Sequence, residues 1–243
     1  MLPRFLLISG FRKGRISLID IFSRYGTLLL TAMGQTLLLA LYGLFFACII
    51  GLIVGIMSVV KNRFCQGFAL VFVNLIRGVP MIVLAYFIFF GVPYFCNTIL
   101  QIGGVTLTAL EAGSICLALN CGAYMAEIIR AGIQSVDVGQ MEAARSLGLP
   151  YWRGMQRVVL PQAIRTMIPS IINQFIITLK DTSILSVIGF PELVNTAKNV
   201  VSITFKSLQV WAVVAVMYLI VILALSKLAK ILERRLNRGR KHV

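Results

Sequence analysis

The sequence lacks most of what chemistry in water uses. Of its 243 residues only 13% are charged and 8 are acidic, and its one histidine, His242, sits in a basic tail. A globular domain carries about 25% charged residues. A lone terminal histidine excludes histidine-based catalysis and most metal sites. The five cysteines (48, 65, 96, 116, 121) stand apart with no C-x-x-C, so neither a zinc site nor a disulfide framework is written. There is no G-x-x-x-x-G-K-[ST], so the chain has no P-loop for ATP, and no Ser/His/Asp constellation. What is present is 59% hydrophobic residues and a mean hydropathy of +0.92, beside a net charge of +15. Together these exclude a soluble enzyme, a disordered chain and a disulfide scaffold. They also argue against a nucleic-acid binder, which a pI near 10.2 would otherwise suggest.

Charge is missing in blocks. Tyr25 to Val60 (36 residues), Gly78 to Leu110 (33) and Ser207 to Ser226 (20) contain no Asp, Glu, Lys or Arg. Twenty residues as a helix cross ~30 Å of hydrocarbon. Two further apolar stretches carry sparse charge, Glu111 and Glu127 in one, Lys180 and Asp181 in the other. The chain therefore reads as an all-α integral membrane protein with five transmembrane helices, near 33–59, 65–90, 107–129, 164–186 and 207–228. A soluble domain of this length cannot bury five such runs. A membrane barrel would alternate in polarity, whereas Ile82 to Phe90 is apolar throughout.

The N-terminal segment has two readings. Lys13, Ser17, Asp20 and Arg24 recur at helical spacing opposite Ile16, Ile19 and Phe22, which suits an amphipathic helix in the interface; the alternative is a frayed polar tail. The organisation expected is an interfacial segment over 1–30, a membrane domain over 31–230 and a basic tail over 231–243. Five spans place fourteen of the 23 basic residues on one side: Lys61 and Arg63, five arginines between spans three and four, and seven in the tail. That side should be cytoplasmic, with the N-terminus outside. The basic N-terminus opposes this assignment.

Between spans three and four the sequence is built, not merely connecting. Asp137 can cap a helix with body Gly139 to Leu147, including Gln140, and Gly148 can end it in the left-handed region. Pro150 should open a second short helix and Pro161 close it. Ala143 and Ala144 would let a partner approach, and Glu142 can pair with Arg145 or reach across to that partner. Glu142-Ala143-Ala144, Gly148 and Leu160-Pro161 resemble the EAA loop of ABC importer permeases. A narrower likeness, from about Thr31 to Lys230, is to permeases for polar amino acids. It rests on Arg77-Gly78-Val79-Pro80, the run Asn120 to Arg130, Lys180-Asp181-Thr182-Ser183 and Ile188-Gly189. Val79 stands where members commonly have Thr.

The resemblance implies a type I ABC importer permease fold whose EAA loop, here Asp137, Gln140, Glu142, Ala143, Ala144, Arg145 and Gly148, is the helix that couples to a cytoplasmic ATPase. It implies as partners an ABC ATPase dimer, a second permease chain, an extracytoplasmic amino-acid-binding protein and the bilayer, with no nucleic acid. The location implied is the bacterial inner membrane. ATP and Mg would sit on the ATPase and no cofactor on this chain, which is therefore not itself an enzyme.

Ionisable groups at bilayer depth should face the bundle interior. Asn74 and Arg77, at i, i+3 on span two, have a structural reading, pairing with another span, and a functional one, clamping a substrate carboxylate. Pro80 should kink that span. Asn120, Tyr124 and Glu127 form a polar stripe on span three; Glu127 either pairs with Arg130 or Arg77, or meets a substrate ammonium. Asn173 and Lys180 share a face of span four. Asp181 pairs elsewhere or marks the helix end near Thr182 and Ser183. Gly51 and Gly55 give span one a surface for close packing. A self-sufficient secondary transporter would show internal repeats, which are not seen, and a membrane enzyme would need a catalytic cluster.

Overall fold

The computed structural model describes residues 18–237. The basic N-terminal residues, with Ile16 and Ser17, and the end of the tail with His242 lie outside the described residues. Eight helices follow in order: α1 Leu18–Val59, α2 Arg63–Gly78, α3 Met81–Ile99, α4 Ala109–Gln134, α5 Val138–Ser146, α6 Tyr151–Ile188, α7 Leu193–Thr204 and α8 Ser207–Asn237. Five of them, α1, α3, α4, α6 and α8, are long and apolar enough to cross a membrane.

Three boundaries differ from the sequence expectation. The expected second span, 65–90, is two helices. Val79 is extended (φ −97°, ψ 130°) and Pro80 caps α3, so Pro80 breaks the span where a kink was expected. The ring of Pro80 disfavours helical geometry at Val79 and removes a donor. Pro161, expected to close a short helix, lies instead in the interior of α6. A wide turn over Met155–Val159, whose last bond runs from the Leu160 N–H to the Met155 carbonyl, carries the helix past it. At the N-terminal side, Phe22 and Arg24 belong to the first turns of α1, which begins well before residue 33.

The bundle is organised on α1 and α4. At Gly43, Gly51 and Gly55 an added Cβ would lie 2.5 Å from Leu117 Cβ, 2.4 Å from Met125 Cβ and 2.9 Å from Ile129 Cβ. The offset is 74 residues in each case (117 from 43, 125 from 51, 129 from 55), so the two helices run parallel in one unbroken register. Small residues on α1 admit large ones on α4, and the backbones approach closely. The helix α8 also runs with α1: Leu29 and Met33 pack near Val210 and Met217, and Leu44 and Cys48 face Leu225 and Leu228. The C-terminal ends of α1, α4 and α8 therefore share one end of the bundle. The α5 knob is there too, since Lys61 Nζ lies 5.6 Å from the Tyr151 ring centroid.

A polar clasp closes the other half. Glu192, wholly buried, caps α7 by accepting the N–H groups of Val194 (2.7 Å) and Asn195 (2.6 Å). The Tyr218 hydroxyl of α8 donates to the same carboxylate (3.3 Å), and Thr36 Oγ1 of α1 accepts the Leu193 N–H (3.1 Å). Burial pushes the Glu192 carboxyl up from its usual range, and the N–H groups at this helix N-terminus draw it part of the way back down.

Candidate substrate path and coupling surface

The break before Pro80 places Arg77 in the last turn of α2, where its guanidinium is free of the next helical turn. It stacks on Tyr124 of α4, Cζ 4.8 Å from the ring centroid, a cation–π contact. Around this pair lies a cavity of about 490 Å³. Its polar wall comprises Arg77, Asn120, Tyr124, Gln174 and Asp181, drawn from α2, α4 and α6. Asn120 is buried and its amide donates to Met81 Sδ at 3.8 Å. Regular α-helical bonding in α6 stops at Asp181 and a 3-10 turn, Thr182–Ile188, follows up to Gly189. The volume is ample for one amino acid. A guanidinium on one side and a carboxylate on the other can hold a molecule carrying opposite charges at its two ends.

Not every expected path residue faces this cavity. Asn74 and Glu127 line a second one, of about 600 Å³, together with Arg77. Glu127 is bound by Arg130 through two N–H groups, Nε at 3.1 Å from Oε2 and Nη2 on Oε1. Asn173 and Lys180 are both exposed and line neither cavity, and the Ser183 hydroxyl donates to the Lys180 carbonyl at 2.7 Å. The residue missed was Gln174. It has the same seven-residue relation to Asp181 that Asn173 has to Lys180, but lies 100° further round the helix, on the inward face.

At the opposite end of α6 is an exposed knob. Asp137 caps α5 by accepting the Gly139 N–H at 2.7 Å. Gly148, at φ +82°, ends it: its N–H donates to the Arg145 carbonyl (2.9 Å) and that of Leu149 to the Ala144 carbonyl (3.1 Å). This is a Schellman closure, open only to a residue tolerant of positive φ. Ala144, expected to meet a partner, is buried within the chain: it lies against Gly154, where an added Cβ would sit 3.5 Å from its own and 2.9 Å from Met141 Sδ. Glu142 and Arg145 are exposed and form no ion pair with each other. Ala143 faces outward between them, and Val138 and Leu147 stand 72% and 84% exposed. Gln140 accepts from the Gln162 amide at 3.2 Å, a second tie between knob and α6.

Five apolar spans around polar cavities, with a structured knob at one end, define the membrane component of a transport system. The chain belongs to the family of binding-protein-dependent transport system inner membrane components, whose sequence profile matches residues 47–238. It is 37% identical over 210 residues to the glutamine transport system permease protein GlnP of Escherichia coli strain K12, covering 86% of this chain and 93% of the relative. It is 35% identical over 222 residues to the probable glutamine ABC transporter permease protein GlnM of Bacillus subtilis strain 168, covering 91% and 97%. Among solved structures, a chain of an amino acid ABC transporter crystallised with histidines matches at TM-score 0.82 and 35% identity, over 91% of this chain and 100% of that one. A chain of the MetNI methionine ABC transporter, at 20% identity and TM-score 0.73, shares the fold.

Proposed function

We propose that this chain is the membrane subunit of an ATP-driven importer for a polar amino acid, and that the cavity beside Arg77 is its translocation path. The observation that carries this is the convergence of Arg77, Asn120, Tyr124, Gln174 and Asp181 from three helices on one cavity. Arg77 meets the substrate carboxylate bidentately, Asp181 faces the ammonium group, and the two amides serve the polar side chain. The likeness to glutamine permeases of two genera and to an amino acid ABC transporter crystallised with histidines supports the substrate class. ATP hydrolysis belongs to a partner. The α5 knob, with Glu142, Ala143, Arg145 and Leu147 outward, is the surface that an ATPase takes hold of, and a binding protein delivers the amino acid at the opposite end. Two permease chains complete the pore in the inner membrane, with the knob and the C-terminus cytoplasmic.

The test is uptake by the permease–ATPase complex in proteoliposomes, with a panel of labelled amino acids presented by the cognate binding protein. Arg77→Ala should lower uptake about tenfold or more, as loss of one charge-assisted bidentate contact predicts. Wild-type uptake by that variant would remove Arg77 from the path.

A further inference from the structure

Arg77 is shared by two cavities, and the second has a different character from the first. It lies between α1, α2 and α4, toward the end of the bundle that carries the knob. Arg63, Gln66, Asn74, Arg77, Glu127 and Arg130 supply its polar wall. Arg63 and Arg77 are fourteen residues apart on α2, about 21 Å along the helix, so the cavity leads from the Tyr124 stack to the end of the bundle. Three guanidinium groups face one carboxylate. Arg130 is committed to Glu127 and to the Gln134 amide (3.0 Å). Arg63 and Arg77 have no carboxylate partner among the described residues.

We propose that this basic chamber is a second carboxylate-binding station, which takes the α-carboxylate of an amino acid that has passed Arg77 and lets product accumulated on that side slow further uptake. The inference rests on the first cavity being the translocation path. A guanidinium is weakly hydrated and its paired N–H groups match a carboxylate. The chamber's guanidinium groups outnumber its carboxylate three to one, and a concave wall of net positive charge strengthens the local field for an anion. No acid near Arg63 competes for the ligand, and nothing in this chamber offers the ammonium group a free carboxylate, since Glu127 is already bound by Arg130. The station therefore reads the carboxylate and is indifferent to the ammonium, whereas the first cavity presents a group for each.

The probe is N-acetyl-L-glutamine, which keeps the carboxylate and lacks the ammonium, measured by equilibrium dialysis against the solubilised permease–ATPase complex. The wild type should bind it; Arg63→Gln should weaken binding about tenfold or more, and Arg63→Lys by less. The decarboxylated amine 4-aminobutanamide should not compete. In proteoliposomes, L-glutamine trapped on the knob side should reduce the uptake rate of the wild type more than that of Arg63→Gln. Absence of wild-type binding, equal binding by Arg63→Gln, or competition by the amine would overturn the station. Failure of the translocation path is a separate result: unchanged uptake in Arg77→Ala, with the Arg63 dialysis result still readable on its own.

Discussion

At the scale of single residues, the most informative side chain after Arg77 is Glu192. Its two oxygens accept both N–H groups at the start of α7 and a hydroxyl from α8. Glu192→Ala should lower the stability of the purified complex by about 1–2 kcal/mol, the worth of an N-cap, read as a drop in the thermal unfolding midpoint. Glu192→Gln, which keeps one acceptor oxygen, should fall between the two. Neither Glu192 nor Thr36 was legible in the sequence. An acid after Pro191 reads as a loop residue, and Thr36 is one hydroxyl in a 36-residue uncharged run. The bond from the Leu193 N–H to Thr36 spans 157 positions, and no local pattern encodes it. Gln174 was legible in kind but not in direction. The span alternates polar and apolar positions too sparsely to decide between two faces 100° apart, and only the packing of α6 on α4 selects the one that holds Gln174 and Asp181.

At the scale of elements, glycine separates packing from helix propensity. Gly51→Ala places a Cβ 2.4 Å from Met125 Cβ and should cost about 1–3 kcal/mol, as overpacking does. Gly34→Ala, in the same helix with nothing within 4 Å, should be neutral or stabilising by up to about 1 kcal/mol. Thermal unfolding of the two variants side by side checks both signs. Gly148→Val forces a β-branched residue to φ +82° and should open the end of α5. The expected outcome is a permease that still inserts in the membrane but no longer transports or co-purifies with its ATPase. The α5 cap and its glycine stop were readable because each is a local backbone requirement met by one residue type. The prolines were not: Pro80 and Pro161 have the same intrinsic preference, and the difference lies in the wide turn before Pro161, which reaches back five residues.

For the whole molecule, the expected five crossings match five long apolar helices, because length and hydropathy are summed over many residues. Charge counting and packing agree on which loops lie together: the α1–α2 loop touches the first turn of α6, and α1, α4 and α8 run in parallel. Cysteines introduced at Lys61 and Leu147 into a cysteine-free background should react with a membrane-impermeant maleimide from the cytoplasmic face, and one at Ser202 only from the other. Labelling of Lys61 and Leu147 from opposite faces would contradict the fold.

The continuity of α6 through Pro161 has a mechanical consequence. One end of that helix is gripped by the knob, at Gly154 against Ala144 and at Gln162 on Gln140. About 30 to 40 Å from Gly154 the same rod carries Gln174 and Asp181 into the cavity wall. A rod of that length pivoting by about 5° about its middle swings each tip by roughly 2 Å in opposite senses. A small pull at the knob would thus arrive at Asp181 undiminished in size and reversed in direction, as in a seesaw.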